Sequence, residues 1–410
     1  MLTSQAVLFF MGLLFVAVIL EPLAEKLRVP FSIVLILLGF IGSEIVTKVF
    51  AIDTGIRWDN FQFIIFYVFL PVLIFQSALK LDFQELCKRA LPVFLLALPF
   101  MLIAALITAS ILYLVIGHPT GFPWITALIA GVLLSATDPS AVVALLEKSN
   151  APESLKTLLE GESLFNDATA VVFFSLLLAV ATGVEVMPTW QAAFIQFSLV
   201  FFGGITVGIV VGTIAWMALK NSRNTYSRVL ISFLTAYGAY IVADHLFHFS
   251  GVMAVLTAGL LFAKFNTQIE DQQSKNIMNE VWESSAHTTE LLIFLFAGVT
   301  ITPGMFSEQW LAMLIGIMAV IVGRVSIVFV LLSLFSKLAV FESIPLKHQV
   351  ILSWGGVRGT VTIALALSLP LMLESWFTVQ SIAYGVVLFT LIFQTSSMNQ
   401  LIRRLKLEPA

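Results

Sequence analysis

ITALIAGVLLSATDPSAVVALL, residues 125–146, is apolar enough to cross a membrane, yet carries Asp138 beside Pro139 in its middle. A carboxylate at bilayer depth costs at least ~2.5 kcal/mol, so chance rarely leaves one there. Proline lacks an N–H and clashes with the preceding helical turn. The stretch therefore reads as a membrane helix interrupted next to an acid. A second stretch, LLEGESLFNDATAVVFFSLLLAV at 158–180, gathers Glu162, Asn166 and Asp167 on one segment. A third, SWGGVRGTVTIALAL at 353–367, carries Arg358 among Gly355, Gly356 and Gly359, and glycines weaken helix continuity. Charge at membrane depth, twice coinciding with a helix break, points to movement of something charged, a cation and protons.

Composition agrees. Of 410 residues, 59% are hydrophobic and 11% charged, against about a quarter charged in a soluble domain. Mean hydropathy is +1.02. The reading is an all-α polytopic membrane protein. The single cysteine, Cys87, excludes an internal disulfide framework and a cysteine-based metal cluster. There is no nucleotide motif and no nucleic-acid patch, so uphill transport would draw on an ion gradient. No cofactor is called for beyond transported Na⁺ or Li⁺ and H⁺. The N-terminus has neither a positive n-region nor a clear cleavage site and reads as a first spanning helix.

About 20 apolar residues span a bilayer. Thirteen candidates follow: approximately 5–22, 31–49, 60–79, 91–116, 122–147, 158–182, 190–219, 227–248, 251–265, 285–302, 308–336, 349–371 and 376–401. Between them lie turn signals such as GHPTGFP, KSNAP and TITPG. Alternate loops hold 17 of the 21 lysines and arginines, and the opposite loops only Lys48 and Arg57. By the positive-inside rule the N-terminus lies outside and the C-terminus in the cytoplasm of a cell (inner) membrane. The two interrupted helices are seven apart, and an odd offset reverses direction. Helices 1–6 and 8–13 therefore fit an inverted repeat connected by helix 7. Broken helices at matching positions of two such halves mark a transporter's binding site.

Glu162 and Asn166 are four apart, as are Ser163 and Asp167, so each pair shares a helix face. Asp138, Asp167, Ser163 and a freed carbonyl at Thr137 offer the oxygen ligands that Na⁺ or Li⁺ wants. A carboxylate in a low dielectric can hold a proton near neutral pH; it takes either the proton or the cation, which is the logic of exchange. Arg358 cannot shed its proton and needs a partner if buried; Glu162 is the expected one. Arg324, in AVIVGRVSIVF, poses the same problem without an evident partner. Asp244, in IVADHLFHF, reads as the solvated end of a helix, and His245 and His248 as interfacial side chains. Gly204, Gly208 and Gly212 of GGITVGIVVG stack on one face, a close-packing signal.

SATDPSAVVALL, EGESLFNDATAVV and SWGGVRGTVTIALAL, in this order, resemble the signature segments of NhaP-type sodium/proton antiporters of the monovalent cation:proton antiporter-1 family. LPVLIFQSALKLD, at 70–82, resembles that family's third-helix segment. The likeness covers nearly the whole chain. It implies an NhaA/NhaP-like antiporter fold in which two unwound helices cross. It also implies a homodimer in membrane lipid, with an interface part at about 1–80 and 227–302. A core follows at about 91–182 and 308–401, with 190–219 as linker helix. By resemblance Asp138, Asp167, Ser163 and Thr137 bind the ion, while Asn166 and a Glu162–Arg358 pair organise the core. The Asn-Asp form of the motif goes with electroneutral exchange, one cation for one proton. Two positions depart from the pattern: Gln76 stands where the family usually has Glu, and Glu290, in VWESSAHTTELLIFLFAGV, aligns where it usually has Asn. One acid is lost and one gained, which bears on ion selectivity and pH response; Gln76, Glu290 and Arg324 are thus candidate modulators. The lack of a long C-terminal tail argues against the regulated animal-exchanger type.

Two other classes fit parts of the same pattern. A passive cation channel could line a pore with the same broken helices. An intramembrane aspartyl protease could use Asp138 and Asp167, but the segments lack a glycine-rich aspartate context.

Overall fold

The computed structural model describes residues 4–27, 30–48, 61–117, 121–149, 152–185, 189–222, 224–266, 272–332 and 345–405, and among these there is no strand. The helices, in chain order, begin with α1 (Ser4–Leu27), α2 (Phe31–Lys48), α3 (Phe61–Lys80), α4 (Phe83–Lys88) and α5 (Ala90–Val115). The next are α6 (Trp124–Leu133), α7 (Ser140–Lys148), α8 (Glu153–Ala181), α9 (Trp190–Asn221), α10 (Thr225–Leu246) and α11 (Gly251–Asn266). The last are α12 (Gln272–Thr300), α13 (Pro303–Glu308), α14 (Trp310–Val330), α15 (Leu346–Trp354), α16 (Thr360–Leu367) and α17 (Trp376–Leu405).

Seven of these are individually long and apolar enough to cross a bilayer. Length alone misses the two interrupted spans, because each is built from two half-helices: α6 with α7, and α15 with α16. Several long helices absorb an extra residue as a π-helical turn, at Ile65–Phe69, Leu96–Phe100, Val242–Leu246 and Thr390–Gln394. Such turns often mark functional positions. α12 begins well before the expected residue 285. Its polar first half is anchored by buried Met278 and Trp282; Trp282 lies 4.6 Å from Phe75 and 4.4 Å from Phe233 and donates to Ser232 Oγ.

The chain forms two compact units, with boundaries inside α3, α5 and α12. The first comprises residues 1–62, 100–151 and 290–410. Within it α2 and α12 approach backbone to backbone: a Cβ on Gly39 would strike the Leu295 carbonyl, and one on Gly298 the Ile36 carbonyl. α14 packs on α5 through Gly323, against Thr108 and Ala104, and on α17 through Gly316, against Ile382. Buried Tyr384 shares a hydrogen bond with Thr300.

The second unit comprises residues 63–99 and 152–289. Here the glycine face of α9 lies on α11 as its spacing predicts. Cβ atoms at 204, 208 and 212 would press on Ser250, Ala254 and Ala258 respectively. Asp244 differs from the solvated helix end expected of it. It is half-buried, and Tyr67 donates a 2.6 Å hydrogen bond to its Oδ2. Asp244 and Tyr67 sit in π-helical turns of α10 and α3 respectively.

Candidate functional site

In the first unit the two interrupted spans cross at their breaks. α6 ends at Leu133, Pro139 bars a continuous helix, and α7 restarts at Ser140. α15 ends at Trp354, and α16 restarts at Thr360 after the glycine-rich turn. Backbone polar groups freed in a membrane need partners within the protein, and the two breaks supply them to each other. Asp138 N–H donates to the Val357 carbonyl at 2.7 Å, and Thr362 Oγ1 donates to the Ala136 carbonyl.

Both arginines serve the same purpose. Arg358 donates from Nε to the carbonyl of Leu134, the residue capping α6, and from Nη1 to Gly356 O at 2.6 Å. Its backbone N–H donates to Thr390 Oγ1 at 3.1 Å, in the π-helical turn of α17. Arg324, whose partner the sequence left open, donates from Nε and Nη2 to the Leu352 carbonyl in the last turn of α15. A helix C-terminus carries about half a negative charge. Each half-helix that ends at the crossing therefore meets a guanidinium that cannot lose its proton.

Asp138 sits where the opposite ends of the half-helices begin. Its Oδ1 accepts from Ser140 N–H at 3.0 Å and from Ser140 Oγ at 2.6 Å, at the start of α7. Its other oxygen, Oδ2, lies against Gly359, the residue that caps α16. A Cβ at 359 would fall within 2.8 Å of the Asp138 carboxyl carbon, closer than real Cβ atoms come. Position 359 is therefore closed to a side chain by the carboxylate itself. Thr137 beside it is buried.

The other acids lie in the second unit, on α8. Glu162 and Asn166 are each 1% exposed, and Ser163 is buried. Asp167 is half-buried, with Oδ1 enclosed. Gly161 lets this helix close on Val93 and Leu86. One unit thus brings together Thr137, Asp138, Arg324 and Arg358, and the other Glu162, Ser163, Asn166 and Asp167. Gln76, on α3, is buried, and Glu290, on α12, half-buried. No group of three or more His, Cys, Asp and Glu among the described residues has the arrangement of a resident metal site. His245 and His248 are exposed.

Ser140 and Thr390 were not singled out from the sequence, and Gly359 only as a helix breaker. Ser140 had a local signal, since a serine two residues after an aspartate can close a turn with it. Thr390, and Gly359 in its contact with Asp138, act through residues far along the chain.

The chain matches the family model described as "Sodium/hydrogen exchanger, transmembrane" over residues 11–404. It is 30% identical over 403 residues to the Na(+)/H(+) antiporter NhaH of Halobacillus dabanensis, covering 96% of each chain. It is 32% identical over 383 residues to the Na(+)/H(+) antiporter ApNhaP of Aphanothece halophytica, covering 93% of this chain and 70% of that one. Its fold matches the sodium proton antiporter MjNhaP1 from Methanocaldococcus jannaschii, with a TM-score of 0.84 at 21% identity over 99% of both chains.

Proposed function

The chain belongs to the sodium/hydrogen exchanger family and is a Na⁺/H⁺ antiporter rather than an enzyme; we propose that it works by alternating access, exchanging one Na⁺ or Li⁺ for one proton. The observation that carries the mechanism is the crossing of two unwound segments beside Asp138. There a carboxylate is held by Ser140 and lies against Gly359. In this reading Asp138, Asp167, Ser163 and the Thr137 carbonyl ligate the cation. One proton takes the cation's place on these carboxylates when the cation leaves, so the two ions compete for one set of oxygens. Competition at a single site is sufficient to couple the two movements. Asn166 and a Glu162–Arg358 pair hold the machinery in place.

We further propose a homodimer in the cell membrane with the N-terminus outside, resting on the positive-inside pattern. Residues of about 1–80 and 227–302 would form the interface, about 91–182 and 308–401 the moving core, and 190–219 the linker. This partition concerns moving parts and is a different grouping from the two contact units. The test is exchange in proteoliposomes with Na⁺, Li⁺ and K⁺, with and without clamped voltage. One-for-one exchange is indifferent to voltage and drives the cation uphill on a proton gradient. A channel does neither, and voltage-dependent flux without uphill movement would overturn the reading.

Two substitutions probe the details. Gly359→Ala places a methyl group against the Asp138 carboxyl and displaces it by a few tenths of an ångström or more. A misplacement of about 1 Å in a reacting geometry costs roughly a hundredfold. Exchange is therefore expected to fall by one to two orders of magnitude, with the protein still folded; a native rate would show that Asp138 has no such role. Glu290→Gln removes a half-buried acid from a helix whose counterpart acid, at 76, is already amide. An acid at membrane depth is a functional candidate by default. The expected result is a shifted apparent Na⁺ affinity or pH profile, partly restored by adding Gln76→Glu. An unchanged profile would leave Glu290 without a part in transport.

A further inference from the structure

The two interrupted spans contain four half-helices, and each of these ends in a negative pole. Three of the poles meet a cation. Arg358 reaches the end of α6, Arg324 the end of α15, and α7 closes on its own Lys148. The fourth, the end of α16, has no basic residue in its last turn. Neutral groups donate to its last carbonyls. Ser368, the capping residue, gives its N–H to Ala364 and its Oγ to Leu365, the latter at 2.8 Å. Gln380, one turn into α17, gives Nε2 to the Ala366 carbonyl at 3.3 Å.

Only one end of that amide is satisfied. Gln380 is 1% exposed, and its Oε1 is enclosed without a hydrogen-bond partner. A buried acceptor left unmade carries the full cost of its desolvation. With Nε2 fixed on Ala366, the planar amide holds Oε1 beside the end of α16 as well. An enclosed oxygen and an uncompensated negative pole call for the same thing, a small positive charge. We propose that the end of α16 is a second cation station. Its ligands are Gln380 Oε1, the Ser368 hydroxyl and the carbonyls of Ala366 and Leu367, and its ligand is a monovalent cation of the Na⁺ or Li⁺ kind. Carbonyls at half-helix ends are suited to such ions. A set of neutral oxygens suits a single rather than a double charge. It also holds the ion weakly, as a station on a route must, since an ion that enters has to leave.

α16 sets this station in line with Asp138. The helix has 8 residues, so its ends are about 12 Å apart at 1.5 Å per residue. Asp138 Oδ2 lies against Gly359, the cap at the other end. One pole of α16 thus faces the acid and the other the cation. Gln380 lies one turn below Trp376, where the span Trp376–Leu405 starts. That is the outer side in the orientation proposed above; binding itself depends neither on that orientation nor on the exchange mechanism.

The experiment reads binding in purified full-length Asp167→Asn protein, whose acid on α8 is neutral. It is melted in NaCl and in choline chloride at equal ionic strength. The melting temperature is expected to rise with Na⁺ and not with choline. Adding Gln380→Met should shift the midpoint of that rise to at least tenfold higher Na⁺. Loss of a merely structural amide would instead lower the melting temperature equally at every Na⁺ concentration and leave the midpoint in place. Gln380→Glu keeps the oxygen and adds charge, so it should lower the midpoint at least threefold; this arm decides the matter if Gln380→Met does not fold. Gln380→Lys brings a cation on a tether. It should melt above its parent without Na⁺ and no longer respond to Na⁺. A parent that Na⁺ stabilises no more than choline, or a midpoint indifferent to Gln380→Met or to Gln380→Glu, overturns the proposal. Exchange by Asp167→Asn in proteoliposomes tests the crossing and is read separately, so either reading can fail while the other stands.

Discussion

Asp167→Asn is expected to leave a folded protein whose cation-driven proton movement in proteoliposomes falls at least a hundredfold, to background. The substitution keeps the shape of the side chain and one carbonyl oxygen, so the packing of α8 around buried Glu162 and Asn166 has no reason to change. It removes the one property exchange needs, a group that is neutral with a proton and negative without one. An amide neither releases a proton near neutral pH nor balances the charge of Na⁺. Native-like exchange in this variant would move the coupling elsewhere. Electrogenic cation flux in place of exchange would show that Asp167 carries the proton but not the cation.

Arg358→Ala is expected to fail in the opposite way, through stability. The guanidinium satisfies the Leu134 and Gly356 carbonyls in a setting 4% exposed. If Glu162 is its partner, truncation also strands a buried carboxylate, and breaking a buried pair in this manner costs about 3–5 kcal/mol. Unfolding in membrane or detergent should therefore rank Arg358→Ala as the most destabilised, Glu162→Ala next and Asp167→Asn least. Glu162→Ala keeps the two carbonyl bonds, which is why it falls between. Arg358→Lys should recover only part of the loss, since a point-like ammonium cannot reproduce the planar fork that reaches both carbonyls. An Arg358→Ala protein that melts with the native one would remove the arginine from the architecture of the crossing.

The breaks at 134–139 and 355–359 were legible because their causes are local. Pro139 lacks a donor, and three glycines in five residues withdraw helix propensity; neither effect needs a tertiary neighbour. The glycine face of α9 was legible for the same reason, a spacing of four. The carbonyl partners of the arginines were not. A sequence shows that a buried guanidinium needs acceptors, and an acid such as Glu162 is the acceptor that stands out. Main-chain carbonyls at a helix end carry no signature in residue type, and Leu134 and Leu352 are among the acceptors of Arg358 and Arg324. Gly359 illustrates the same gap. Its neighbours explain a flexible turn, whereas its exclusion of a side chain comes from Asp138, more than two hundred residues earlier. The polar start of α12 looked like a loop because its anchors, Met278 and Trp282, are spaced among polar residues and bury themselves only against other helices.

The hydrogen bond from Arg358 to Leu134 joins residues 224 apart in the chain, and that separation is also an interval of time. A ribosome adding about 5–20 residues per second makes Leu134, Ala136 and Asp138 on the order of 10–45 s before it makes Val357, Arg358 and Thr362. For that period the opened backbone of the first break sits in the membrane without the segment that completes it. Nascent chains halted before residue 357 should therefore be recognised by membrane proteases as unfinished, and full-length chains should not. The last seventh of the polypeptide acts, during synthesis, as the closing piece for a wound left open in its first half.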